Sequence, residues 1–577
     1  MKKYLFICIV IVYSFVSCKS EPEGNSSKDT SAITIYHNGK IITMETNSPQ
    51  YMEAVAEENG KIIFVGSFKE AEKKFSQAKK IDLKGSTLLP GFIDPHSHFD
   101  KVSHSMGQLN LSPPPVGDVT SIPQVMEKLK AYKKEHNIPD GEWIFAWGYD
   151  DNQLEEKRHL NKNEIDAVLP NNPVYLDHTS GHMGVANSLA LKMMGVTAES
   201  IDPPGGNIDR FPGTNEPNGL VQETAMYPFV GNMIQVLDSK SDVFFELTQN
   251  YYAENGITTA NDGMVGRKKL DFYKKMADEG KFKIDLITLA GFKELEINLK
   301  DSLLQFNTYS NKLKIQGTKI IGDGSPQGKT AFFKKPYLTR VAGCSHLCTG
   351  LPSVNQEELE RLFILAYKND NQVFTHCNGD ASIDMVLKAH EKACAVLKQP
   401  LDKDRRTVVI HSQFVRPDQL EKYVKYKIIP SFFTNHAYFW GDVHTENLGE
   451  ERANFLSPIS TADKMGIMYT NHSDATVTPI YPIFTIWSAV NRTSRSGNVI
   501  GEQERATVYQ ALKAITINAA YQHFDEKVKG SLVEGKLADF VILDQNPLTS
   551  NPKELKNIRV LKTIKEGKIV FEKYIFL

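Results

Sequence analysis

The sequence predicts an α/β protein: a (β/α)8 TIM barrel with a small β-sandwich domain built from both termini and a long insertion after the first barrel strand. Three patterns support this prediction. Apolar runs alternate with helical patterns in the middle of the chain, which is typical of a closed parallel sheet. Hairpin signals occur at both ends of the chain. A gap of roughly 150 residues separates the first two runs, which is too long for a plain connection.

Eight apolar runs are the predicted barrel strands. They are residues 92–98, 257–261, 284–289, 318–321, 373–377, 408–412, 428–432 and 467–471. Helical patterns lie between several of them, at residues 356–368, 383–397 and 417–426. The barrel is therefore predicted for residues 89–527. Its insertion, about residues 99–254, is expected to have structure of its own and to cap the barrel.

The flanking segments, residues 32–88 and 528–577, consist of short predicted strands with tight turns. Asn38-Gly39 and Asn59-Gly60 separate apolar runs near the start of the chain, and Asn-Gly between such runs is a strong hairpin signal. Glu566-Gly567 is the corresponding turn near the end. Two β-rich ends around a long α/β middle predict one composite β-sandwich domain.

Residues 1–17 have the pattern of a bacterial lipoprotein signal peptide. Lys2 and Lys3 precede an apolar stretch that is short for a membrane span, and small residues stand before Cys18. Cleavage there would expose Cys18 for lipid attachment, and residues 18–31 would form a flexible tether. The alternative is an ordinary secretory signal. The favoured interpretation is an exported protein, lipid-anchored to a bacterial membrane, with its mature domain outside the cytoplasm, periplasmic or on the cell surface.

The charge balance bears on the partners of the protein. Its 577 residues carry a formal net charge of −2 at pH 7 and contain no long run of a single sign. This balance differs from the strongly basic character of proteins that bind nucleic acid, so no nucleic-acid partner is expected. Membrane contact is expected only through the lipid anchor.

Polar, titratable residues fall at the ends of the predicted barrel strands, where barrel enzymes carry their sites. They are His96 and His98 after the first strand, Lys319 on the fourth, His376 and His411 on the fifth and sixth, and Asp474 after the eighth. Residues two apart in a strand share a face, so His96 and His98 would point at one place, as a metal ion requires. Each residue alone also fits a structural role, but one functional site at the end of a barrel accounts for all six positions.

Five motifs spread along nearly the whole mature chain support a family assignment. They are residues 89–98, Pro204-Gly205-Gly206 with residues 218–223, residues 256–259, residues 319–325 and residues 530–540. Together they resemble the amidohydrolase superfamily, in particular the branch of metal-dependent hydrolases similar to N-substituted formamide deformylase. The chain departs from that pattern at Pro95 and at Asn471-His472-Ser473-Asp474, which stands where Gly-Ser-Asp is more usual.

The resemblance implies a centre of two divalent metal ions, zinc in most cases. The ligands would be His96, His98 and Asp474 for the more buried ion, His376 and His411 for the second, and Lys319, carboxylated by carbon dioxide, as a bridge between them. An unmodified lysine could not bridge two cations, whereas a carbamate offers two anionic oxygens.

The implied reaction is hydrolysis of a non-peptide carbon–nitrogen bond, of the amide or formamide type, by a metal-activated hydroxide. Asp474 would take the proton of the water and deliver it to the leaving nitrogen. The expected partner is a small-molecule amide whose identity stays open, as does assembly into a homo-oligomer. Two other functions also stay open: a mononuclear deaminase or cyclic-amide hydrolase on the same barrel, and a non-catalytic surface binding protein.

Three further residues are candidate substrate contacts: His182, Asp323 and His436. Each of them could equally have a structural role in its own segment. Strand alternation predicts that His472 and Cys377 point away from the site, so neither is counted as a ligand.

Overall fold

The computed structural model describes residues 33–114, 116–151, 153–179, 181, 183–204, 206–302, 304–341 and 348–573. The predicted signal peptide, Cys18, the tether and His182 lie outside these residues. Within them, no helix is both long and apolar enough to cross a membrane.

The strands of the described residues fall into three sheets. In chain order they are β1 Thr34–Ile42, β2 Tyr51–Glu58, β3 Lys61–Gly66, β4 Lys79–Asp82, β5 Thr87–Pro90, β6 Phe92–Ile93, β7 Leu109–Asn110, β8 Ile144–Tyr149, β9 Val174–His178, β10 Met183–Ala186, β11 Gly206–Arg210, β12 Pro217–Glu223, β13 Ile257–Val265, β14 Asp285–Gly291, β15 Tyr309–Ser310, β16 Leu313–Ile321, β17 Gln372–Cys377, β18 Val408–His411, β19 Ile429–Phe432, β20 Thr470–Asn471, β21 Phe540–Leu543, β22 Val560–Lys565 and β23 Lys568–Glu572.

Most of the helices connect successive strands. They are α1 Phe68–Lys74, α2 Phe99–Ser105, α3 Ile122–Glu135, α4 Lys162–Asp166, α5 Ser188–Met193, α6 Tyr227–Asp238, α7 Ser241–Glu254, α8 Arg267–Asp278, α9 Leu295–Lys300, α10 Gln356–Lys368, α11 Asp380–Leu397, α12 Pro417–Tyr426, α13 Asn435–Leu448, α14 Glu450–Asn454, α15 Ile459–Lys464, α16 Pro482–Asn491, α17 Val508–Ala514 and α18 Ile517–Gln522, with short 3-10 helices at Phe292–Glu294, Glu502–Glu504 and Pro552–Asn557.

The barrel sheet contains eight parallel strands in the order β6-β13-β14-β16-β17-β18-β19-β20, and the short β15 pairs antiparallel with β16. All eight predicted strands are present, so the α/β TIM-like barrel is confirmed. The first and last strands are shorter than predicted. β6 ends at Ile93 because Pro95 has no N–H group and cannot continue the hydrogen-bond ladder.

The two end strands of the barrel are joined through the segments that follow them. Backbone hydrogen bonds of 2.8 and 3.1 Å connect residues 94–98, after β6, to residues 473–475, after β20. Beside them, the hydroxyl of Ser473 donates to the buried carboxylate of Asp94 at 2.5 Å. These contacts, called the seam below, close the carboxyl end of the barrel.

Both ends of the chain contribute to one eight-stranded sheet, in the order β23-β22-β21-β5-β1-β2-β3 with β4 paired to β1. Asn59 and Gly60 join β2 to β3 with φ of 52° and 76°, the two positive values that a type I′ hairpin needs. Glu566 and Gly567 join β22 to β23 in the same way, with φ of 49° and 72°. Whether this sheet divides into the two facing layers of a sandwich remains a prediction.

The predicted turn at Asn38-Gly39 is wrong. Both residues lie inside β1, where the pairing register with β2 shifts between His37 and Ile41. Asn38 has φ of 58°, and a Cβ on Gly39 would lie 2.5 Å from the carbonyl oxygen of Ser86. The pair therefore makes a bulge, in which Asn38 alone has the left-handed conformation and the chain is not reversed.

The insertion has a sheet of its own, in the order β11-β12-β10-β9-β8-β7. Its sheet packs on a separate apolar core that includes Leu111, Ile144, Leu176 and Val185, all fully buried or nearly so. The expectation that the insertion is structured agrees with this sheet. That it caps the barrel remains a prediction.

A group of buried charges links the terminal sheet to the barrel. The ammonium of Lys565, on β22, lies 2.8 Å from Asp285 at the start of β14 and 2.9 Å from Asp539. Lys529 also contacts Asp285, and all four side chains are at most 4% exposed. Burial acts to raise the pKa of Asp285, but the two lysines outweigh it and lower that pKa to about 2.

Replacing Lys565 by methionine should strongly destabilise the fold, because Asp285 and Asp539 stay buried with less compensation. We expect Lys565→Met to lower the free energy of unfolding by about 3–5 kcal/mol, measured from the urea midpoint. The control is Lys562→Met on the same strand, whose pair with Glu572 is partly exposed. That change should cost at most about 1 kcal/mol. Equal, small effects of the two changes would contradict the assigned role.

Candidate metal centre

The barrel brings the six predicted ligands together at the carboxyl end of its strands. His96 and His98 lie on the segment after β6, Lys319 on β16, His376 on β17, His411 at the end of β18 and Asp474 in the segment after β20. We call this set the metal centre. His98 and His376 are partly accessible, whereas the other four side chains are buried.

One half of the metal centre forms around Asp474. Its Oδ1 lies 3.3 Å from Nε2 of His96 and 3.4 Å from Nε2 of His98. The Nζ of Lys319 lies 3.0 Å from the same His96 nitrogen. Asp474 Oδ1 is buried and has no aligned hydrogen-bond donor among the described residues. An enclosed oxygen in this state is costly unless a cation satisfies it, and two imidazoles with a carboxylate are typical zinc ligands.

The other half is a pair of imidazoles. Nε2 of His411 lies 3.0 Å from Nδ1 of His376. The remaining nitrogen of His376 faces the carbonyl of Gly324 at 3.4 Å and the amide of Asn378 at 3.1 Å. Two ring nitrogens directed at one point from neighbouring strands can hold a second ion. Both halves of the metal centre therefore offer donor atoms that could hold a divalent metal ion.

Burial is the main cause of the pKa shifts in the metal centre. It lowers the pKa of His376 to about 4 and that of Lys319 to about 7. Burial acts to raise the pKa of Asp474, but the neighbouring imidazoles, His411 first, hold that pKa well below its usual range. At neutral pH the site therefore has neutral imidazoles beside a carboxylate, which is the state in which these groups bind metal.

The backbone around the metal centre is specialised for these side chains. His411 and Asp474 have φ of 68° and 51°, left-handed values that cost energy outside glycine and that cluster at functional sites. On β13, a Cβ at Gly263 would lie 2.2 Å from the ring of His96. Glycine at position 263 thus leaves room for the His96 imidazole.

Asp323 lies behind His376, with its carboxylate oxygen 3.6 Å from the ring Nε2. The carboxylate accepts the backbone N–H groups of Phe332, Asn378 and Gly379 at 2.8–2.9 Å. Burial raises its pKa to about 7. Because its oxygens are engaged by backbone, the structure gives Asp323 a role in holding the end of β17. Its contact with substrate remains a prediction.

His436, on α13, is buried near the metal centre. Its Nδ1 lies 3.0 Å from Nε2 of His444, and its ring packs against Phe433 and Trp440 at 4.6 and 4.5 Å. Phe433 also contacts the ring of His411, at 5.7 Å. His436 is thus separated from a candidate ligand by one aromatic ring. His182 lies outside the described residues, so its role stays a prediction.

The prediction that His472 points away from the site is wrong. Its Nε2 lies 3.1 Å from Nδ1 of His411, and the two form a third possible group of metal donors with Asp474. Strand alternation does not apply because β20 ends at Asn471 and the chain then turns through the left-handed Asp474. The end of β20 before His472 is the feature that would have corrected this prediction. Cys377 is buried and accepts the Ser382 hydroxyl at 3.1 Å, as expected of a packing residue.

Comparisons with known proteins agree with the geometry. A family model described as "Amidohydrolase family" matches residues 79–571. The putative amidohydrolase YtcJ of Bacillus subtilis (strain 168) is 28% identical over 568 residues, covering 93% of this chain and 99% of that protein. The N-substituted formamide deformylase of Arthrobacter pascens is 26% identical over 546 residues, covering 93% and 98%. The protein LONG AFTER FAR-RED 3 of Arabidopsis thaliana is 30% identical over 557 residues, covering 92% and 91%.

Solved structures give the same fold. The crystal structure of an uncharacterized metal-dependent hydrolase from Pyrococcus furiosus has a TM-score of 0.71 at 23% identity, covering 90% of this chain and all of that one. A corresponding hydrolase from Pyrococcus horikoshii OT3 has a TM-score of 0.71 at 24% identity, covering 90% and 99%. At this identity the likeness supports the arrangement of the backbone only.

Removing both imidazoles of the His-x-His pair should empty one half of the metal centre. We expect the His96→Ala, His98→Ala double variant to retain about one equivalent less divalent metal per chain, measured by elemental analysis after dialysis against a metal-containing buffer. His136→Ala, which removes an exposed imidazole from the insertion, should bind as the unchanged protein does. Full metal content in the double variant would contradict the assignment.

Proposed function

This chain belongs to the amidohydrolase family, and from that premise we propose that it is a metal-dependent hydrolase of a non-peptide carbon–nitrogen bond in a small-molecule amide or formamide. The observation that carries the proposal is the convergence of four imidazoles, a lysine and an aspartate at the carboxyl end of one barrel. The similarity to a formamide deformylase over 93% of the chain supports the type of bond.

We propose that the metal centre holds two zinc ions. His96, His98 and Asp474 would bind the first ion, and His376 and His411 the second. When bound, such ions polarise a carbonyl and lower the pKa of a water molecule toward neutrality. Oδ1 of Asp474 has no aligned hydrogen-bond donor among the described residues. The carboxylate could therefore bind a metal ion and exchange a proton.

Lys319 is proposed to carry a carbamate that bridges the two ions. Its Nζ is buried 3.0 Å from Nε2 of His96. Reaction of the neutral amine with carbon dioxide forms the N–C bond and releases one proton. The product offers two anionic oxygens, whereas an ammonium at this place would face two cations.

The proton transfers are assigned to Asp474. Its carboxylate would accept the proton of the attacking water and then deliver it to the departing nitrogen, since an amine leaves readily only when protonated. His436 is the proposed contact for the amide, because it is buried one ring away from His411. His182 and Asp323 are further proposed contacts.

We also propose that the enzyme acts outside the cytoplasm, attached to a bacterial membrane through lipid on Cys18. The support is the pattern of residues 1–18, with two lysines, a short apolar stretch and small residues before the cysteine. The small-molecule substrate would then be taken from outside the cytoplasm, and a homo-oligomer is compatible with this placement.

A panel of N-formyl, N-acyl and cyclic amides tests the reaction. The zinc-loaded protein should cleave at least one class, and Asp474→Asn should lower kcat by about 10²- to 10⁴-fold, since general acid–base catalysis contributes that much. Asp370→Asn is the control, because Asp370 forms only an exposed pair with Lys403. Failure of the fully metal-loaded protein to cleave any member of the panel would contradict the proposed reaction.

Lys319→Ala distinguishes a two-metal from a one-metal centre. Without the bridging carbamate, we expect bound zinc to fall from about two equivalents to one or fewer and turnover to fall at least about tenfold. Lys268→Ala, at a side chain that is 91% exposed, should change neither quantity. One equivalent of metal in the unchanged protein, unaffected by Lys319→Ala, would favour a mononuclear site instead.

A further inference from the structure

His472 starts a chain of buried hydrogen bonds that leads away from the metal centre. Its Nε2 lies 3.1 Å from Nδ1 of His411, and its Nδ1 lies 3.1 Å from the hydroxyl of Ser431. The chain continues from Ser431 to Thr470 at 2.9 Å and from Thr470 to Oε1 of Gln522 at 2.7 Å. All of these side chains are at most 3% exposed.

The hydrogen bonds of Gln522, at the far end of this network, determine which groups donate and which accept. Nε2 of Gln522 donates to the carbonyl of Pro95 at 3.0 Å, so its Oε1 is the atom that faces Thr470. That oxygen carries no hydrogen and can only accept. The Thr470 hydroxyl is placed to donate to Ser431 at 2.9 Å as well as to Oε1 of Gln522 at 2.7 Å, but it has one proton for the two contacts. With that proton on the shorter contact, to Gln522, the hydroxyl of Ser431 is left to donate to Thr470. With its own proton used, Ser431 must accept the N–H of His472 Nδ1.

The tautomer of His411 follows from that of His472. Because a neutral imidazole carries one proton, His472 Nε2 has a lone pair and accepts from Nδ1 of His411. His411 is then left with a bare Nε2, and that nitrogen is the one 3.0 Å from Nδ1 of His376. Its lone pair is thus available in the half of the metal centre assigned to the second ion.

We propose that His472 is a positioning residue for the second metal: it fixes the tautomer and ring orientation of His411 and does not itself bind the ion. This inference rests on the metal centre of the proposed function. Both ring nitrogens of His472 are occupied, one by His411 and the other by Ser431. Its ring also stacks on Phe433 at 4.9 Å, which fixes the plane in which Nε2 is presented.

Metal affinity separates a positioning residue from a ligand. We expect His472→Leu to weaken binding of the second zinc ion about 10- to 100-fold, the usual effect of losing a hydrogen-bond partner of a ligand. His472→Gln should restore most of the affinity, because its amide oxygen can accept the N–H of His411. Ser431→Ala should cause a smaller loss than His472→Leu. Zinc affinity is measured by competition with a chromophoric chelator, and the absorption spectrum of the Co²⁺-loaded protein reports the ligand geometry.

The control for losing a buried imidazole is His390→Leu. His390, on helix α11, forms hydrogen bonds to the hydroxyl of Tyr367 and to the carbonyl of Leu401. Its removal should lower the melting temperature without changing zinc affinity or the Co²⁺ spectrum. His472→Leu with unchanged zinc affinity would overturn the inference. So would His472→Gln that loses the second ion as completely as His472→Leu, because His472 would then be a ligand.

The positioning role of His472 and the proposed reaction can fail independently. Two bound zinc ions in a protein that cleaves no amide would contradict the proposed reaction, while the comparison of the His472 variants would still decide the positioning role. An unchanged protein that binds no divalent metal would overturn both.

Discussion

The seam between the first and last barrel strands is the contact on which the metal centre depends. Eight parallel strands bring their carboxyl ends into one ring, but β6 and β20 are too short to close it by a ladder. The N–H of Asp474 donates to the carbonyl of His96 at 3.1 Å. This bond contributes to the closure and fixes two candidate ligands relative to each other. Asp94 and Ser473 reinforce the same junction with a buried hydrogen bond.

The closed barrel also buries a number of polar side chains. Most of these side chains are buried, so each donor needs a hydrogen-bond acceptor. The buried side chains of Gln522, Thr470, Ser431 and His472 form a continuous hydrogen-bond network that joins the seam at Pro95 to the candidate ligand His411. Oδ1 of Asp474, which has no aligned donor among the described residues, is a group that a cation would satisfy.

Sequence alone predicted all eight barrel strands and brought out all six members of the metal centre, because strand-to-helix alternation and residue type are properties of the chain itself. The assumption that His96 and His98 share a strand was incorrect, since Pro95 ends β6 before them. The direction of His472 was missed for a related reason: left-handed backbone at His411 and Asp474 is set by packing and cannot be seen in residue types. Ring partners such as Ser431 depend on rotamers and were equally out of reach.

The pairing of β5 with β21 has a consequence for how the molecule is made. Pro90 lies opposite Phe540, about 450 residues later in the chain, and contacts of such separation slow folding. β5, which leads into the first barrel strand, therefore lacks its β21 neighbour until almost the whole chain is available. This part of the terminal sheet can form only when synthesis of the chain is nearly complete.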